Sequence, residues 1–118
     1  MTTPLRIRRD INGNQTYGLS FSDDSYWAQI PAATVATLTV PKEVTDAFFS
    51  FTKATDVYVR LNGSALTTPP SGTTLQLAGD TELNPGSRKV TAGDTLQFYC
   101  EDVCEVVVNF YKTTSDLD

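Results

Sequence analysis

A chain of 118 residues, 40% hydrophobic and 19% charged, is long enough to bury one core without a stabilising metal and too apolar to stay disordered. No run approaches the roughly 20 apolar residues that span a bilayer, and MTTPLRIRRD lacks the apolar stretch of a secretory signal, so synthesis and folding in the cytoplasm are expected. A net charge of −5 argues against tracking along nucleic acid, whose phosphates demand a positive footprint.

Charge is uneven. Arg6, Arg8 and Arg9 all precede the first acid, Asp10, while the remainder of the chain is acid-rich. LRIRR (residues 5–9) alternates apolar and charged side chains, as a half-buried strand does. Residues 1–10 are read as a basic N-terminal arm or edge strand on a single domain spanning 1–118. Asn12-Gly13 is a strong turn dipeptide, because Asn and Gly tolerate positive φ.

SYWAQI (25–30) and TVATLTV (34–40) follow as strands, the second stopped by Pro41, which cannot donate to a ladder. Around AFFSFT (47–52), Val44, Ala47, Phe48 and Phe51 stand at helical spacing. The short, aromatic-rich run nevertheless predicts a turn and then a strand. DVYVRLN (56–62) places Val57, Val59 and Leu61 on one face and turns at Asn62-Gly63. After the proline-stiffened loop TTPPSG, residues 73–77 read as a further strand. TELNPG (81–86) reads as turn, RKV (88–90) as a short strand, and TAGD as a tight turn. Residues 95–100 and 103–112 are the strongest strand signals. About nine short strands without a confident helix predict an all-β, antiparallel two-sheet sandwich of jelly-roll type.

The two cysteines, Cys100 and Cys104, flank Glu101-Asp102-Val103. A straight strand would hold them about 13 Å apart. A three-residue hairpin loop would place them opposite each other, with Cα atoms roughly 4.5–5.5 Å apart, compatible with a disulfide. Zinc is disfavoured because the chain has no histidine, and the spacing is not that of thioredoxin-type redox motifs. The cysteines are read as a cross-strand framework pair, two reduced thiols being preferred over a bridge. No metal or cofactor is expected.

Without histidine the commonest general base and the Ser-His and Cys-His pairs are missing. Asp23-Asp24 and Glu101-Asp102 are nominal glycosidase carboxylates, but adjacent acids on one loop rarely face each other across a substrate. An enzyme is not expected. Tyr17, Phe21, Tyr26 and Trp27 cluster near the N-terminus; Tyr17, Tyr26 and Trp27 form a possible sugar platform, and burial in the core is the default alternative. The sequons at Asn14 and Asn62 carry no weight without secretion.

RDINGNQTYGLSFSDDSYWAQI (9–30), TLTVP (37–41), VYVRLNGSA (57–65) and TELNPGSRKVTAGDTLQFYC (81–100) together resemble a family of small virion proteins of tailed bacteriophages. Its pattern has RDING, a GLPFSD-like stretch, a V-x-LNG strand and an ELNP…V-x-AGD-x-L block in this order. This chain departs from it at Ser20, where proline is expected, and in its cysteines. The resemblance implies a capsid cement or decoration protein on the outside of the head shell. Its partners would be the major capsid protein and further copies of itself, as dimer or trimer, with neither nucleic acid nor membrane. Arg6, Arg8 and Arg9 would contact an acidic capsid surface. The alternatives are a low-copy fibre, neck or tail-tip component, or a host-glycan-binding module.

Overall fold

Short β-branched and aromatic runs between turn residues fold most of the chain into strands. This computed structural model describes residues 3–5, 8–9, 15–16, 21–52 and 55–113, and no helix occurs among them. The strands are β1 (Pro4–Leu5), β2 (Arg8–Arg9), β3 (Gln15–Thr16), β4 (Asp24–Ile30), β5 (Thr34–Thr39), β6 (Asp46–Phe51), β7 (Tyr58–Leu61), β8 (Thr81–Leu83), β9 (Ser87–Lys89), β10 (Thr95–Cys100) and β11 (Cys104–Thr113).

From β4 onward the pairing is nested, first strand with last. β4 pairs with β11, β5 with β10, β6 with β9 and β7 with β8, all antiparallel. Pairings of β6 with β11 and of β7 with β10 join these ribbons into two sheets, ordered β4-β11-β6-β9 and β5-β10-β7-β8. That is the jelly roll: an antiparallel ribbon folded over into two facing sheets. β1 adds a short parallel pairing to the far end of β11, Pro4 opposite Lys112. β2 and β3 form a separate two-stranded ribbon.

Period-two alternation directs one face of each sheet inward. The core is built by Ala47 and Phe49 from β6, Val59 from β7, Leu96, Phe98 and Cys100 from β10, and Cys104, Val106, Val108 and Phe110 from β11. Ile30, Val40, Val44, Val57 and Val90 close it at the strand ends. The helical spacing around Phe48 has a simple explanation. Ala47 and Phe49 point inward, while Phe48 lies on the outer face with its ring 5.3 Å from that of Tyr111. Both faces of β6 carry large side chains, which blurs the alternation.

Asn62 and Gly63 turn the chain after β7 with φ values of 56° and 87°, a pair that these two residues adopt at low cost. Asn62 also exchanges bonds with the start of β10: its backbone N–H donates to the Thr95 carbonyl at 2.7 Å, and its Oδ1 accepts from the Thr95 N–H at 2.9 Å.

Three expectations need correction. Residues 73–77 form no strand, because no strand among the described residues lies alongside them; they belong to the long exposed connection between β7 and β8. Thr81–Leu83, expected as turn, is strand β8, paired with β7 from Tyr58 to Arg60. The cysteines do not face each other across a hairpin, since β10 and β11 belong to different sheets and pair with different partners. The predicted turn at Asn12-Gly13 lies outside the described residues.

Candidate functional site

The jelly roll leaves two open sides, and each has its own chemistry. On one, β4 and β5 are the outer strands of their sheets. β4 pairs with β11 on one side only, so its other backbone edge faces no strand among the described residues. Its side chains alternate. Tyr26 turns inward and meets buried Phe110 edge-on at 5.6 Å between ring centres. Trp27 points outward, 74% exposed, and its Nε1–H donates to Glu105 Oε2 at 3.3 Å. Between β4 and β5 opens a cleft of about 190 Å³, bordered by Tyr26 and Ala28 and floored by Phe98, Val106 and Val108, with Ala36 and Leu38 on the β5 side.

Opposite, β8 and β9 are the outer strands, and a depression of about 330 Å³ lies between them over Phe49, Val59 and Leu96. Its rim carries a bidentate ion pair across the two sheets: Arg88 Nε donates to both Glu82 carboxylate oxygens at 3.0 and 2.8 Å, and Nη2 adds a further contact. The Arg88 hydrogen bond holds the Glu82 carboxyl below its ordinary value and raises the guanidinium in return. The pair is solvent-exposed, so screening limits its worth. Sequence reasoning missed it. The signal available was the Asn84-Pro85-Gly86 turn, which returns the chain six residues later.

The sheets are also joined covalently, contrary to the expectation of two reduced thiols. Cys100 and Cys104, both fully buried, form a disulfide with Cα atoms 6.7 Å apart, where β10 ends in one sheet and β11 begins in the other. The separation exceeds the 4.5–5.5 Å expected for a hairpin because the bridge crosses between layers.

The connection between β7 and β8 first runs over the outer face of the β10 sheet. Leu66 N–H donates to Gln97 Oε1 at 2.9 Å, and Thr68 Oγ1 lies 3.2 Å from the Tyr99 hydroxyl. Arg60 gathers the two ends of this connection. Its Nη1 donates to the Ser64 carbonyl at 2.8 Å, Nη2 to the Ala78 carbonyl at 3.3 Å and Nε to Thr81 Oγ1 at 2.8 Å. Beyond that clamp Leu75 and Leu77 are completely exposed.

Of the residues singled out from sequence, Tyr26 and Trp27 are neighbours on opposite faces of β4 and do not share a platform. Tyr17 and Arg6 lie outside the described residues. Arg8 and Arg9 stand in β2, opposite Thr16 and Gln15. The two acid pairs occupy opposite ends of the sandwich: Asp24 is in register with Phe110, while Glu101 and Asp102 precede Cys104. Six residues of β11 separate those levels, about 20 Å of strand. No group of three or more metal-ligating side chains is placed together among the described residues.

No protein-family model, curated protein or solved structure matches the chain.

Proposed function

We propose that this protein is a capsid decoration or cement protein of a tailed bacteriophage. It attaches to the outside of the head shell and stabilises contacts between neighbouring major capsid subunits. The observation that carries the reading is the division of the chain into a two-sheet jelly roll and a separate β2–β3 ribbon, with β1 fastening the N-terminal segment to β11. The ribbon belongs to the part of the sequence that holds Arg6, Arg8 and Arg9, which supports a basic arm on an acid-rich body. Attachment works by mass action: a protein that binds assembled shell and not free subunits shifts the equilibrium toward the shell. Repeated weak contacts then add through multivalency. The motifs from RDING to the ELNP…AGD block support the same setting.

Copy number tests the reading. Quantitative mass spectrometry of purified particles, referenced to the major capsid protein, is expected to find hundreds of copies. A dozen or fewer would overturn it in favour of a fibre, neck or tail-tip component. The glycan-binding alternative needs two exposed rings on one face, which Tyr26 and Trp27 do not supply.

A further inference from the structure

We propose that copies of this chain associate by strand donation: residues 73–78 of one copy add to the free edge of β4 in a second copy, seating Leu75 and Leu77 over the cleft between β4 and β5. Donor and acceptor are both present and both incomplete. The donor, Thr73-Thr74-Leu75-Gln76-Leu77-Ala78, alternates as a strand does, yet it pairs with no strand among the described residues and leaves both leucines fully in water. Exposed leucines at i and i+2 on a strand-like segment constitute an apolar stripe in search of cover. The acceptor is a seven-residue edge strand whose outer backbone edge faces no strand among the described residues, bordering an apolar cleft. At about 190 Å³ that cleft falls below the roughly 300 Å³ at which small-molecule pockets begin. It suits side chains better than a free ligand.

A strand added to β4 would point alternate side chains inward, beside Tyr26 and Ala28 and against Ala36 and Leu38 across the gap. Leu75 and Leu77 would take those places, leaving Thr74 and Gln76 outside near Trp27. A copy cannot serve itself. Leu77 adjoins Ala78, whose carbonyl is held by Arg60 on β7, and β7 is two strands removed from β5. The occupant is therefore a second copy.

One such contact buries less than the roughly 1,200 Å² at which stable interfaces begin. Two copies that exchange donors reciprocally double it and close the assembly, so a twofold pair is the form inferred. This association does not depend on the capsid reading, and the test contains no particles, so either proposal can fail alone.

Sedimentation equilibrium of the full chain, from micromolar to millimolar concentration, is expected to show a monomer–dimer equilibrium. Leu75→Asp/Leu77→Asp, which spoils the donor, and Ala28→Lys, which places a charge at the acceptor, should each remain monomeric with unchanged far-ultraviolet circular dichroism; all three positions are exposed. Mixing the two variants restores one intact donor–acceptor contact. A heterodimer weaker than the wild-type dimer is therefore expected. A wild type that stays monomeric throughout, variants that dimerise like wild type, or a mixture that does not pair would each overturn the proposal.

Discussion

Cys100 and Cys104 lie four positions apart in sequence yet stand in different sheets, so their disulfide ties the two layers of the sandwich together where β10 passes into β11. A bridge closing so short a loop restricts the unfolded chain modestly, by about 2 kcal/mol in the chain-entropy account. Reduction is expected to lower Tm by roughly 6–12 °C for a domain of this size, read by calorimetry with and without reductant. Both sulfurs are buried, so alkylation of the native protein under reductant should proceed no faster than its opening. An unchanged Tm would mean that the bridge contributes nothing.

Among the described residues Phe110 is the largest fully buried side chain, set under Tyr26 and flanked in register by Asp24 of β4 and Ala47 of β6. Truncation to alanine leaves a cavity that surrounding strands, held in register on both sides, cannot collapse to fill. Phe110→Ala should cost about 3–5 kcal/mol, seen as a fall in the urea midpoint at constant m-value.

Arg60 ties both ends of the β7–β8 connection to one side chain, and lysine cannot reach three separate acceptors at once. Hydrogen bonds from a charged group contribute about 1.5–3 kcal/mol, so Arg60→Lys should raise the open population of this connection by about tenfold or more. Thermolysin, which cuts before leucine, should cleave at Leu75 or Leu77 correspondingly faster. Tm should fall as well, by several degrees.

The Glu82–Arg88 pair makes stability depend on pH in one direction. The folded-state pKa of Glu82 is lowered, so its contribution is present above the ordinary carboxylate value and is lost as pH falls through the lower, folded-state value. The difference in urea midpoint between wild type and Glu82→Gln should be small at neutral pH and vanish in acid. It should also shrink with added salt. A difference that persists at low pH would mean that Glu82 acts through packing.

Much of this fold was legible in the sequence, and the failures have a common cause. TLQFYC and the run from Cys104 to Tyr111 announce themselves through β-branched and aromatic side chains, and Asn62-Gly63 through turn chemistry. Residues 73–77 carry the same period-two pattern, but a strand exists only opposite a partner, and alternation does not say whether one is present. Cys100 and Cys104 misled for a similar reason. Their spacing fits a hairpin as well as a passage between sheets. The choice is made by pairings with β4, β5, β6 and β7, all more than thirty residues away. At the candidate sites, alternation already separates Tyr26 from Trp27. The Glu82–Arg88 pair and the Arg60 clamp required three-dimensional proximity that no local pattern encodes.

β11 occupies the interior of its sheet, flanked by β4 and β6, yet every strand it pairs with is synthesised before it. Until β11 leaves the ribosome, β4 has no pairing partner among the described strands and half of the sandwich has no centre. The growing chain must therefore wait, its edges open, for β11 to arrive. Folding is limited by long-range closure and most exposed to aggregation in the interval before β11 is available to pair.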